Sequence, residues 1–228
     1  MGHVSTGPWA VICGLASEAK VVRAALGEGA RIAVSGADPQ RAEAAARRLL
    51  DEGATRLISV GVAGGLDPAL RPGAVLIPDQ VLCATGVYTP DADWCARAKA
   101  AASEAVTAAV WGSDDLVSTA DAKAALFAQH EACAVDMETH RVARAAVDRG
   151  ALFGVVRTIA DPAERALPQA ASDVIGADGA PRLGRVLKNL MKRPGDLPGL
   201  IKVGQDSATA HKALGRALTD LQRAGLFG

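Results

Sequence analysis

The stretch from Ala134 to Asp161 constrains the fold more than any other part of the chain. Ala132-Cys133-Ala134-Val135 is a short apolar run closed by Asp136-Met137-Glu138, and Thr139 to Arg149 carries apolar residues at helical spacing. Leu152 to Ile159 is a second apolar run that ends at Asp161. A strand, a helix and a strand of this length predict a right-handed crossover between two parallel neighbours. Glu138 and Asp161 then leave the same carboxyl edge of one sheet, where open α/β sheets bind their ligands. Two carboxylates there suit a ligand with a sugar diol and a protonatable leaving group, since one accepts hydroxyl hydrogen bonds while the other donates a proton. A plainer reading stands beside it: acids before a helix and Asp-Pro pairs also cap helices and start turns.

Strands and helices alternate along the rest of the chain. Trp9 to Cys13 reads as a strand that turns at Gly14 into a helix carrying Glu18, and Arg31 to Val34 as the next strand. Ser35 to Arg41 forms a loop into an Ala-rich helix ending near Leu50, Leu57 to Val60 is a strand, and Gly61-Val62-Ala63-Gly64-Gly65 reads as a glycine loop after it. Ala74 to Leu82 is extended, and a second Ala-rich helix is predicted over 95–109. This alternation points to an α/β protein, a three-layer α/β/α sandwich with a central mixed sheet. With 228 residues, half of them hydrophobic, the chain suits one well-filled domain over 1–228 and is short for two.

A C-terminal helical segment begins at about 182. Leu183 to Met191 has helical spacing, residues 192–198 break it, and Leu200 to Val203 resume. Core packing is its first reading. A lid, an oligomer contact and a peripheral membrane contact through an amphipathic, basic-flanked surface are the alternatives.

Lys plus Arg equal Asp plus Glu at 25 each, and no basic stripe with interleaved aromatics is present, so nucleic acid is not an expected partner. Cys13, Cys83, Cys95 and Cys133 have no paired spacing, which fits a reduced cytoplasm. The first ten residues lack a leader pattern, and no apolar run approaches the roughly 20 residues that span a bilayer. His130-Glu131 and Glu138-x-His140 do not supply two histidines one turn apart, so surface side chains, and no metal, are expected there.

Gly14-Leu15-Ala16-Ser17-Glu18, Gly61-Val62-Ala63-Gly64-Gly65-Leu66, Val135-Asp136-Met137-Glu138 and Arg157-Thr158-Ile159-Ala160-Asp161 occur in the order seen in the purine nucleoside phosphorylase and 5'-methylthioadenosine nucleosidase superfamily, which the chain resembles over most of 9–165. Within it, the wording at 63–73 and 160–168 and the tail Lys192-Arg193-Pro194-Gly195 resemble the hopanoid-associated phosphorylases, which cleave adenine from adenosylhopane with phosphate.

The resemblance implies that Met137 lies against the ribose, that Glu138 accepts hydrogen bonds from its 2' and 3' hydroxyls, and that Asp161 protonates N7 of the purine. The serine that usually precedes this aspartate is Ala160 here. A free Asp is protonated about one part in a thousand at pH 7, a cost of roughly 4 kcal/mol, so either the site is apolar or the proton arrives during the step. Leu116 and Val117 stand where the nucleosidases place an aromatic against the base.

Two acceptors are weighed, and phosphate is the expected one, giving adenine and a ribose 1-phosphate product from an adenosine derivative with a bulky apolar 5' group. Glu18 matches the glutamate that activates water in the nucleosidases. Ser35 to Ala42 resembles the Gly-Asp-Pro-x-Arg-Ala phosphate loop of bacterial phosphorylases, which implies inorganic phosphate as co-substrate, no other cofactor, and Gly36, Arg41, the amides near Gly64 and, as a helper, Arg157 as its ligands. The expected protein is a cytoplasmic pentosyltransferase, homo-oligomeric like its relatives. Hydrolysis of methylthioadenosine or adenosylhomocysteine and non-catalytic nucleoside binding are the alternatives.

Overall fold

The computed structural model describes residues 7–168, 176, 178–180 and 182–227, so the two ends of the expected 1–228 domain lie outside the described residues. The chain begins with β1 (Trp9–Cys13), α1 (Ala16–Leu26), β2 (Arg31–Val34) and α2 (Pro39–Asp51), followed by the long β3 (Arg56–Gly65). Four short strands and two helices come next: β4 (Val75–Leu76), β5 (Val81–Cys83), β6 (Gly86–Tyr88), α3 (Ala92–Ala101), β7 (Val110–Gly112) and α4 (Ala120–His130). β8 (Ala134–Asp136), α5 (Thr139–Asp148), β9 (Leu152–Asp161), α6 (Leu183–Lys192) and α7 (Leu197–Arg223) complete it.

The sheet is mixed. β2, β1, β3 and β9 run parallel, as do β5, β7 and β8, while β8 meets β3 antiparallel and β4 meets β9 antiparallel. Two apolar layers cover it. Ala42, Ala46 and Leu49 of α2 and Val142, Ala143 and Ala146 of α5 pack on one side, and Val22 of α1, Trp94 and Ala98 of α3 and Leu214, Leu218 and Leu221 of α7 pack on the other. This is the sandwich that the alternation predicts.

Three expectations need correction. β8 and β9 are not parallel neighbours: β3 lies between them, parallel to β9 from the pair Arg56–Leu152 to the pair Gly64–Asp161 and antiparallel to β8 only at Gly64–Val135 and Gly65–Ala134. The glycine run is therefore strand rather than loop, and β3 changes register against β9 between Ala63 and Gly64, a bulge that re-aims the strand end. Finally, the helix predicted over 95–109 stops at Ala101, because Val106 is drawn into backbone hydrogen bonds with Val75 and Ile77 beside β4.

α7 is longer than the resumption at 200–203 suggests, and it is a structural layer. Ala210, Ala213, Leu214, Ala217, Leu218 and Leu221 recur at helical spacing and are buried against α1, β3 and β9. No helix among the described residues is long and apolar enough to cross a membrane. All four cysteines are free.

Truncating fully buried Leu218 to alanine is expected to cost about 2–5 kcal/mol. Urea denaturation measures it; a loss below about 1 kcal/mol would mean that α7 is peripheral to the core.

Candidate active site

The carboxyl ends of β1, β3, β8 and β9 surround a cleft of about 170 Å³. Gly14, Leu15 and Glu18 come from the β1–α1 turn, Ala37 from the loop after β2, Val62 to Gly64 from β3, and Val135 to Glu138 from β8. Ala160 and Asp161 end β9, while Asp115, Leu116, Val117 and Leu167 close the rim. The backbone N–H of Leu167 donates to the carbonyl of Ser118 at 2.8 Å, which ties the two rim segments together.

Glu18 is buried in the first turn of α1. Its Oε2 accepts from the N–H of Leu15 and its Oε1 from the N–H of Val62, each at 2.8 Å, so the helix start and β3 hold one carboxylate. Glycine makes that approach physically available: a Cβ on Gly61 would lie 2.7 Å from Glu18 Oε1, and one on Gly14 would lie 2.8 Å from Glu138 Oε1. Burial pushes the Glu18 carboxyl up from its ordinary value, with the Val62 N–H and Arg157 opposing.

Asp136 and Arg157 form the floor. Asp136 Oδ1 accepts from the N–H groups of Glu138 and Thr139 at 2.8 and 2.7 Å, and its Oδ2 accepts from the Thr139 hydroxyl and from Arg157 Nε at 2.8 Å. These bonds cap the start of α5 and fix the backbone that carries Glu138. Burial works against the charge of Asp136, yet Arg157 and Thr139 outweigh it and hold the carboxyl below its ordinary range. Arg157 also donates to Ser59 Oγ at 2.8 Å and stands 3.8 Å from Glu138 Oε2. Burial first, then the charge of Asp136, pushes the Glu138 carboxyl up to about 8.

Asp161 faces the same cleft from the opposite strand. Lys123 of α4 donates to Asp161 Oδ2 and, at 3.0 Å each, to the carbonyls of Pro162 and Arg165. Burial raises the Asp161 carboxyl, and the Lys123 ammonium pulls it back.

Glu18, Met137, Glu138, Asp161, Leu116, Val117 and Gly64 thus meet around one cavity. Three residues expected to hold phosphate lie elsewhere. The Arg157 guanidinium is buried beneath the cleft and committed to Asp136 and Ser59. Arg41 is a first-turn residue of α2, 46% exposed, whose N–H and guanidinium both turn to Asp38. Gly36 is a left-handed turn residue off the lining, and Ala37 takes its place there. His140, expected at the surface, is buried with Nε2 2.9 Å from Asp114 Oδ1, whereas His130 stacks on Trp111 at 4.0 Å. Lys123 escaped the sequence reading because a lone lysine in an Ala-rich helix carries no sign of burial.

A family profile described as the phosphorylase superfamily matches residues 16–192. No curated protein matches the chain in sequence. Among solved structures, the S-adenosylhomocysteine nucleosidase of Streptococcus pyogenes, in complex with 5-methylthiotubericidin, is similar with TM-score 0.72 and 18% identity over 97% of this chain and 99% of that one. The 5'-methylthioadenosine/S-adenosylhomocysteine nucleosidase of Neisseria meningitidis, in complex with methylthio-immucillin-A, gives 0.70 and 19% over 94% and 98%. A futalosine hydrolase mutant of Helicobacter pylori gives 0.58 and 18% over 66% and 88%. At these identities the structural likeness speaks for the fold.

A carboxyl whose folded value lies above its unfolded one stabilises the fold fully only below the unfolded value, and that contribution fades as pH rises through the folded value. For Glu138 the window runs from 4.5 to about 8. Glu138→Gln is therefore expected to change the urea midpoint little near pH 5 and to raise it, relative to the parent, near pH 8. Parallel midpoint curves across that window would contradict the raised value.

Proposed function

The chain belongs to the phosphorylase superfamily, and on that premise we propose that it cleaves the N-glycosidic bond of an adenosine derivative and releases adenine. One observation carries the reading: Glu18, Glu138 and Asp161, from three separate elements, line a single cleft. Glu138 takes the hydrogen bonds of the vicinal diol, Met137 lies against the sugar, and Asp161 delivers a proton to N7 as the bond to C1' lengthens. Leu116, Val117 and Leu167 supply an apolar wall for the base and the 5' group. The surrounding carboxylates favour the positive charge that develops on the ribose.

The cleft favours water as the acceptor. Among the described residues its lining carries Glu18, Asp115, Asp136, Glu138 and Asp161 and no lysine or arginine, and the cation beneath it, Arg157, is committed to Asp136, so a phosphate dianion would meet mostly like charge. Glu18, anchored by two backbone N–H groups and raised toward neutrality by burial, suits a base that activates water.

Phosphorolysis is the second reading. Ala37, inside the segment that resembles a phosphate loop, borders the cleft. The wording shared with the hopanoid-associated phosphorylases supports adenosylhopane as substrate, giving adenine and a ribose 1-phosphate product. A substrate with such a tail would bring the protein to a bilayer, where exposed Met191, Leu197 and Ile201 lie next to Lys192 and Arg193.

Adenine release from adenosine, 5'-methylthioadenosine and adenosylhopane, with and without phosphate, tests both readings. Equal rates without phosphate are expected, and strict phosphate dependence would replace water by phosphorolysis. Glu138→Gln and Asp161→Asn are each expected to lower kcat/KM by about 10²–10⁴. Tight adenine binding with no release from any of the three would leave a nucleoside-binding protein instead.

A further inference from the structure

Resting on the reading that a purine departs from this cleft, we propose that Lys123 and Asp161 form one proton donor: the proton that N7 receives is stored on Lys123 Nζ and reaches the base through the Asp161 carboxyl. Lys123 is then a positioning residue that works through Asp161. The base touches the aspartate alone, because Asp161 lines the cleft and Lys123 does not.

The geometry singles out this lysine. It is fully buried, which is rare for its type, and its ammonium faces three oxygens: Asp161 Oδ2 and the carbonyls of Pro162 and Arg165. Three donors meet three acceptors. If this place needed only packing, an apolar side chain would fill it at lower desolvation cost, since buried ion pairs add little net stability. The neighbouring charges of Arg165 and Asp206 act on Asp161 in opposite senses. Arg165 is turned to Asp206, which also accepts from Lys202 of α7 at 2.9 Å.

An isolated aspartate carries the needed proton only about one part in a thousand of the time at pH 7. A paired lysine carries one by default. Ammonium with carboxylate and amine with carboxylic acid differ only by the position of a single proton, so the acid belongs to the pair. As the C1'–N9 bond breaks, its electrons pass to the purine, N7 takes a proton from the carboxyl, and the carboxyl recovers one from Nζ. The products are neutral adenine, ionised Asp161 and neutral Lys123. Water attacks C1' and gives its proton to Glu18, and solvent exchange restores the starting charges.

The test compares the nucleoside that the parent protein cleaves fastest with its N7-methyl derivative, whose base leaves without N7 protonation. Lys123→Arg keeps the charge and the hydrogen bonds but cannot surrender a proton at neutral pH. It is expected to lower kcat on the ordinary nucleoside by about 10²–10³, with KM within a few-fold, and to leave kcat on the N7-methyl derivative within a few-fold. Lys123→Gln, a donor without a transferable proton, is read by the same kcat ratio and serves if the arginine variant does not fold. A ratio unchanged from the parent in either folded variant, including equal losses on both substrates, would overturn the proposal. Failure of the parent to release any base would sink the functional reading instead, so the two failures are distinguishable.

Discussion

The buried Arg157 guanidinium is the interaction on which the site depends. It contacts Asp136, Ser59 and the carbonyl of Val156, and stands within ion-pair reach of Glu138. Removing one partner of such a buried pair leaves an uncompensated charge, so the cluster stands or falls together. With Asp136 held ionised against Arg157, α5 gains its cap and Glu138 is left as the acid pushed up to about 8. The sequence reading took Arg157 as a phosphate ligand; its place beneath the cleft makes it the counter-charge that lets several acids share one small volume.

β3 is the second constraint. Its first half is an ordinary parallel strand between β1 and β9, while its glycine end shifts register and meets β8 antiparallel. That bend brings the ends of β8 and β9 to one cavity although the two strands are not neighbours. Side chains at Gly61 and Gly14 would collide with Glu18 and Glu138, so the glycines are the space into which the acids fit. Their role is steric: they leave the room that the two carboxylates occupy.

Much of the fold was legible in the chain. Apolar runs of four to ten residues alternating with helical periods mark β1, α1, β2, α2, β3, α5 and β9, and they imply the layered α/β class. Pairing order was not legible, because β8 and β9 carry no local signal of which strand lies between them. The end of α3 was also hidden: its Ala-rich sequence favours helix to 109, and only the pull of β4 on Val106 ends it at Ala101.

For the site, local sequence determined the types and approximate positions of Glu18, Met137, Glu138 and Asp161, since acids at strand ends are visible as breaks in apolar runs. Tertiary structure alone decided which charges face the cleft. Arg41 and Arg157 are both plausible phosphate ligands in sequence, yet Asp38 holds one at the surface and Asp136 the other below the floor. Lys123, thirty-eight residues before Asp161, becomes its partner only when α4 docks beside the end of β9. The physical reason is range: periodicity and turn chemistry act within a few residues, whereas Coulomb pairing and burial act between residues that folding brings into contact.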